Sequence, residues 1–134
     1  LCGFDSLFDT GLNDTQIIEL SLKEHRIILT RDRGLLKNKR VTDGFWIRSS
    51  DPVEQTRDVI RKFDLKNTVN PFTRCLECNG VLTIASKDEI LDRLPPRTRE
   101  FYDKFKICQG CGRIFWEGSH YERMKQFIQS VICF

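Results

Sequence analysis

Four of the six cysteines occur as two CxxC pairs, Cys75 with Cys78 and Cys108 with Cys111, and these pairs are the clearest chemical signal in the sequence. Each pair can aim two thiolates at one point, and four thiolates match the tetrahedral coordination that Zn²⁺ prefers. Such a site leaves no coordination position open, so its zinc is structural and not catalytic. Two unrelated CxxC pairs and a redox dithiol are the alternatives. We predict a structural zinc at these four cysteines.

Glycines near both pairs support this prediction. Gly80 lies two residues past the first pair, and Gly112 directly follows the second. Both supply the open backbone that a tight metal-binding turn needs. Paired CxxC motifs of this kind also indicate a reducing compartment, so we expect a cytoplasmic protein.

Acidic residues suggest a second, different metal site. Metal-dependent nucleases gather carboxylates at the carboxyl ends of parallel strands, where the carboxylates hold Mg²⁺ or Mn²⁺. Asp32 directly follows the apolar run 26–30, and Asp14 begins the predicted helix that leads into this run. Asp32 and Asp14 are therefore candidate catalytic residues. A helix cap or a solvated acid is the alternative for each.

Basic residues cluster around Asp32 and recur beside the second CxxC pair. Guanidinium groups and aromatic faces suit phosphates and unstacked bases. The net charge of +3 is too small to decide between RNA binding and an ordinary solvated charged face. The candidate RNA-binding residues are Arg31, Arg33, Lys37, Lys39, Arg40, Arg97, Arg99, Tyr102, His120 and Arg123.

The first half of the chain alternates strand and helix signals. Residues 4–8, 26–30 and 44–49 have strand character, and the unbroken apolar run 26–30 suits a strand covered on both faces. Capping signals predict helices over about 14–24, from a box of Asn13 with Gln16, and 52–63, from Asp51 with Pro52 and Glu54. This alternation predicts an α/β fold with a parallel sheet.

The second half reads as a separate zinc-binding unit. Residues 67–74 have the composition of a linker, so we predict an incomplete α/β core at 1–66 and a zinc ribbon at 67–134. The predicted elements of the second unit are a helix over 86–94 that Pro95 and Pro96 stop, a strand at 113–117, and a C-terminal helix over about 120–132 with a capping box of Ser119 and Glu122.

The opening residues, LCGFD, read like the end of a helix followed by a strand. We therefore expect a further strand and helix of the first domain to precede Leu1. No apolar run approaches the about 20 residues that span a bilayer, so we expect no membrane association.

Five segments together resemble the Mut-seven C-terminal RNase domain family: GFDSLFD, ILTRDRGLLKNKRV, FTRCLECNG, LPPRT and CGRIFWEGSHYERM. The resemblance implies a PIN-like α/β core fused to a zinc ribbon, with zinc held by the two CxxC pairs. By analogy with PIN nucleases it implies metal-dependent cleavage of single-stranded RNA by an acidic cluster of Asp32, Asp14 and an acid from a strand before Leu1.

The same resemblance leaves the role open, because animal members of the family are better regarded as adding RNA binding to a neighbouring nuclease. The partners it implies are RNA and a protein partner or fused exonuclease domain. Three functions remain open, because fold is weak evidence for activity. They are a metal-dependent endoribonuclease, an RNA-binding module without chemistry, and a protein-interaction module stabilised by zinc.

Overall fold

A computed structural model describes residues 1–134 and divides them into two compact units. One unit is Phe8–Val59, and the other joins Leu1–Leu7 to Ile60–Phe134. The domain boundary between residues 66 and 67 stays a prediction. None of the helices has the length and apolar character that crossing a bilayer requires.

The Phe8–Val59 unit contains a two-stranded parallel sheet and its helices. The elements are α1 (Asp14–Glu24), β1 (Ile28–Thr30), α2 (Arg33–Leu36), β2 (Gly44–Trp46) and α3 (Pro52–Lys62), whose last turn passes into the other unit. In the sheet Ile28 is opposite Gly44 and Thr30 is opposite Trp46. Ile18, Ile28 and Leu35 form the buried core, which joins α1, β1 and α2.

The capping signals predicted for α1 and α3 are confirmed. The Asn13 side chain accepts the N–H of Gln16 at 2.9 Å, and the Gln16 side chain accepts the N–H of Asn13 at 2.9 Å. Each bond satisfies an amide that the first turn of a helix otherwise leaves without a partner. Asp51 acts similarly on α3, where its carboxylate accepts the N–H of Glu54 at 2.9 Å.

Two expectations about the sheet are wrong. Residues 4–8 form no strand, so the parallel sheet has two strands and not three. The backbone of 4–6 instead bonds to the side chain of Asn79. The run 26–30 is covered on one face only: Ile28 is buried, whereas Leu29, which alternation turns to the opposite face, is 49% exposed. The PIN-like sheet thus remains an expectation.

The second unit is built on an antiparallel sheet. Its elements are a 3₁₀ turn (Lys66–Thr68), β3 (Leu82–Ala85), α4 (Lys87–Ile90), a 3₁₀ turn (Leu91–Arg93), α5 (Pro96–Phe101), β4 (Phe105–Cys108), β5 (Ile114–Trp116) and α6 (Ser119–Ile132). β4 lies in the middle of the sheet, between β3 and β5. One buried core cluster of this unit consists of Ala85, Ile90, Leu94 and Phe105.

Pro95 and Pro96 stop the preceding turn but also begin α5, which the sequence analysis did not predict. Pro96 occupies the first helical position, where its missing N–H has no cost. The capping box of Ser119 and Glu122 is wrong. Gly118 is the N-cap of α6 and forms no side-chain cap, and Ser119 is already helical.

We expect Asn13→Ala to lower the free energy of unfolding by about 1 kcal/mol, because the N–H of Gln16 in the first turn of α1 loses its side-chain acceptor. Urea denaturation followed by helical circular dichroism measures this change. Thr15→Ala, at an exposed position one residue into the same helix, is the matched control and should leave the stability almost unchanged. Equal stability of both variants would contradict a capping role for Asn13.

Candidate metal centre and basic face

The four predicted cysteines come together in the antiparallel unit. Their sulfur atoms all lie within 4.8 Å of one another. The shortest approaches join one pair to the other: Cys78 Sγ lies 3.4 Å from Cys108 Sγ, and Cys75 Sγ lies 3.7 Å from Cys111 Sγ. A tetrahedron with Zn–S bonds of about 2.3 Å has sulfur–sulfur edges of about 3.8 Å, so the four sulfurs fit a zinc ion.

Backbone amides converge on the sulfurs in a repeated pattern. In three of the four positions the residue two places after the cysteine donates its N–H to the sulfur. The three bonds are Glu77 to Cys75 at 3.4 Å, Gly80 to Cys78 at 3.4 Å and Gly110 to Cys108 at 3.3 Å. Such donors stabilise the thiolate form, which is the form that binds a metal.

Gly80 is required by the close approach of the two turns. A Cβ atom at this position would lie 2.8 Å from the Cys108 sulfur and 3.2 Å from the Cys78 sulfur. Gly110 serves the same purpose from the other turn, where a Cβ would lie 3.2 Å from Cys78 Sγ. The sequence analysis missed Gly110, although its offset from Cys108 matches that of Gly80 from Cys78.

The two closest thiols have very different proton affinities. The N–H of Cys111 is the main cause that lowers the pKa of Cys108 to about 6, with further help from Cys78 and Gly110 against desolvation. The N–H of Gly80 lowers the pKa of Cys78, but the neighbouring thiols, Cys108 foremost, and desolvation outweigh it and raise the pKa to about 11. Cys108 therefore loses its proton first.

Strand β4 and the side-chain amide of Asn79 hold the two cysteine turns in place. Cys108 is the last residue of β4 and is buried, as is Cys75, whereas Cys78 and Cys111 are exposed. Asn79, in the left-handed region with φ 63°, accepts the N–H of Ser6 at 2.8 Å and donates to the carbonyl of Phe4 at 3.2 Å. The first cysteine turn thus carries the amide that fastens the N-terminal segment.

The candidate acids lie at helix starts. The Asp32 carboxylate accepts the N–H of Gly34 at 2.7 Å and is the N-cap of α2, and its own N–H donates to Thr30 Oγ1 at 3.0 Å. Asp14 is the first residue of α1. The four cysteines are the one group of three or more Cys, His, Asp or Glu side chains close enough to hold a metal, and neither aspartate belongs to it.

The predicted basic residues of the first unit lie just before, on and just after α2. Arg31, Arg33, Lys37, Lys39 and Arg40 are all exposed, and none of them forms an ion pair. Together they define the basic face of this unit. The sequence analysis missed Trp46 and Arg48, which lie beside it: Arg33 and Arg48 both stack on the Trp46 ring. The sequence signal that could have identified Trp46 was an aromatic residue at the end of a predicted strand.

The predicted RNA-binding residues of the second unit lie on or next to α5 and near the start of α6. Arg97 is exposed on α5, and His120 and Arg123 are exposed near the start of α6. Arg99 donates to the carbonyl of Leu94 at 2.9 Å, and Tyr102 packs against the core. Arg99 and Tyr102 therefore have structural partners, and a role in RNA binding stays a prediction for all five.

The fold and the four-cysteine cluster define a mixed α/β protein with a small parallel sheet in one unit and, in the other, an antiparallel sheet beside four cysteines that could bind a metal. The chain belongs to the family described as the Mut7-C RNAse domain, which it matches over residues 1–128. This finding confirms the resemblance in the sequence. No curated protein and no solved structure matches the chain.

We expect Cys108→Ser to remove most of the bound zinc and the cooperative melting of the antiparallel unit, because a structural zinc contributes folding free energy directly. Elemental analysis and thermal melting of the purified protein measure both effects. Cys133→Ser, which changes an exposed thiol outside the cluster, is the control and should keep about one zinc per chain. Wild-type protein with far less than one zinc per chain would contradict the site.

Proposed function

We propose that this protein binds single-stranded RNA through the basic face of the Phe8–Val59 unit, and that a structural zinc at the four cysteines stabilises the antiparallel unit. The observation that carries this proposal is the set of five exposed cations without ion-pair partners on and around one short helix. Because no carboxylate neutralises them, their charge is free to act on phosphates. Membership of an RNase domain family supports RNA as the nucleic acid.

In this proposal Asp32 has a structural role in the basic face. Its carboxylate holds the first turn of α2 through the N–H of Gly34, and this turn positions Arg33. Phosphate binding needs ordered cations, since mobile side chains lose more conformational entropy on binding. The acid among the bases therefore fixes their arrangement more than it reduces their charge.

The four cysteines would hold the zinc without taking part in any reaction. With four sulfur ligands the ion has no position for water or substrate. Its contribution is to tie the turn of Cys75 and Cys78 to the turn at the end of β4. The backbone N–H groups that already donate to the sulfurs would then stabilise the negative charge of the bound thiolates.

Neutralising three cations of the basic face should weaken RNA binding and its dependence on salt. For Lys37→Gln, Lys39→Gln and Arg40→Gln combined, the slope of log K against log salt should fall by about 2, since each contact to single-stranded nucleic acid contributes about 0.7. Fluorescence anisotropy with a labelled single-stranded RNA measures this slope.

The control variant removes three exposed lysines outside the basic face, Lys23, Lys104 and Lys125, and should keep the slope. Equal losses in the two triple variants would argue for diffuse attraction and against this face. Absence of RNA binding by the wild-type protein at low salt would overturn the proposed function and favour the protein-interaction module.

Metal-dependent cleavage of RNA is the second candidate function, and the RNase domain family is the finding that favours it. Asp32 and Asp14 would be ligands of Mg²⁺ or Mn²⁺, which would activate a water molecule for attack on the phosphodiester. Asp32 already uses one carboxylate oxygen as a helix cap, and a complete site would need further acids. Binding without cleavage is thus the better supported of the two.

The substitution Asp32→Asn tests this second candidate. Asparagine caps helices as well as aspartate does, so this variant keeps α2 and loses only the charge that a metal ion needs. If the protein is a nuclease, Mn²⁺-dependent cleavage of end-labelled single-stranded RNA should fall at least about a hundredfold, the scale of a lost catalytic group. Asp43→Asn, at an exposed acid before β2, is the control and should cleave normally. No cleavage by the wild-type protein, or full activity in Asp32→Asn, would contradict catalysis by Asp32.

A further inference from the structure

An indole ring lies at the carboxyl end of the parallel sheet. Trp46 is the last residue of β2 and pairs with Thr30, the last residue of β1, so it stands where both strands lead into the polar loops. The indole N–H donates to the carbonyl of Arg31 at 3.3 Å. This bond fixes the direction of the ring, because it ties the edge of the indole to the neighbouring strand end.

Two guanidinium groups stack on this ring. The Cζ atom of Arg33 lies 4.7 Å from the Trp46 ring centroid, and that of Arg48 lies 5.0 Å from it. Both distances are within the about 6 Å over which a cation is attracted to an aromatic face. Both arginines are exposed and neither forms an ion pair. A stacked guanidinium keeps its in-plane N–H groups free to bind oxygen atoms.

We propose that Trp46, Arg33 and Arg48 form a stacking site for one unpaired base of single-stranded RNA. The base stacks against the planar groups of the indole and the guanidiniums. The in-plane N–H groups of the arginines bind the phosphates on either side of this base. This inference rests on the proposed RNA binding and deepens it by naming the base-contacting residues. Trp46 and Arg48 lie beside the basic face and extend it.

The chemistry of the site selects unpaired nucleotides and tolerates any sequence. Every base has a π-face that can stack on an aromatic ring or a guanidinium, so the site reads no base edge. A base in a duplex is already stacked between its neighbours and would have to leave them first. The site should therefore distinguish single strands from duplexes, which the charges of the basic face alone cannot do.

Removing the ring should reduce affinity without changing the dependence on salt. We expect Trp46→Ala to weaken binding of a single-stranded RNA by about fivefold to a hundredfold, which is the range for the loss of one base–aromatic stack. The slope against salt should stay that of the wild type, because an indole neutralises no phosphate. Arg33→Gln should instead lower the slope by about 0.7.

Lysine substitutions separate stacking from charge. Arg33→Lys and Arg48→Lys keep each positive charge but lose the planar group, so affinity should fall while the salt slope stays constant. These variants leave β2 untouched and decide the question if circular dichroism shows that Trp46→Ala does not fold. The Lys23→Gln variant, which removes an exposed charge at the end of α1, is the control and should bind normally.

Fluorescence reports contact with the ring directly. In a Trp116→Phe background Trp46 is the one remaining tryptophan, and single-stranded RNA should quench its emission to saturation. An abasic oligonucleotide of equal length carries the same phosphates and should leave the emission unchanged. A blunt-ended duplex RNA, which has no unpaired bases, should compete weakly.

The possible failures are distinguishable. Wild-type RNA affinity in Trp46→Ala, Arg33→Lys and Arg48→Lys, with unquenched Trp46 emission, would overturn the stacking site and leave the proposed RNA binding intact. Equal quenching by the abasic oligonucleotide would also overturn it. Absence of RNA binding by the wild-type protein at low salt would overturn both the stacking site and the proposed function.

Discussion

Four sulfur atoms within 4.8 Å of one another impose the strongest constraint on the antiparallel unit. Thiolates at such distances repel one another. The backbone N–H of Cys111 lowers the pKa of Cys108 to about 6, while the hydrogen bond to Cys108 and desolvation raise that of Cys78 to about 11, so neighbouring thiols do not lose their protons together. A divalent cation removes the repulsion by replacing the protons. The closeness of the turns leaves no room for a side chain at Gly80, and it sets where β4 must end. The cysteine centre thus fixes backbone geometry well beyond its own four residues.

The Phe8–Val59 unit has no comparable cysteine cluster and depends on a small core of Ile18, Ile28 and Leu35. Its order comes largely from local hydrogen bonds at helix starts, such as those of Asn13 and Asp32. These bonds place polar and charged groups at defined positions while leaving them exposed. A surface of this kind suits a polymer of phosphates, because binding needs positioned charge more than a deep cavity.

Local signals in the sequence predicted local structure well. The CxxC spacing identified the four cysteines that cluster in the structure, and the capping residues located α1 and α3, because such motifs act within a few residues of themselves. Two errors are local, the capping box at Ser119 and the unpredicted helix α5, and the others concern partners distant in the sequence. Residues 4–8 have the composition of a strand, but their backbone bonds to Asn79, more than seventy positions away, and no local pattern reveals this. The arginine stack on Trp46 was missed for the same reason, since Arg33 and Arg48 flank it from different segments.

The hydrogen bonds of the Asn79 side chain to the backbone of residues 4–6 give the chain a particular order of assembly during synthesis. The N-terminal segment leaves the ribosome first, yet the amide that fastens it follows only after the whole Phe8–Val59 unit. The second CxxC pair is made later still. Synthesis at about 5–20 residues per second separates the two pairs by a few seconds. During that interval Cys75 and Cys78 lack the two cysteines with which they cluster in the folded protein. In the zinc-bound form that we propose, the nascent chain therefore holds only two of the four ligands until β4 is made, and its thiols are then most open to oxidants.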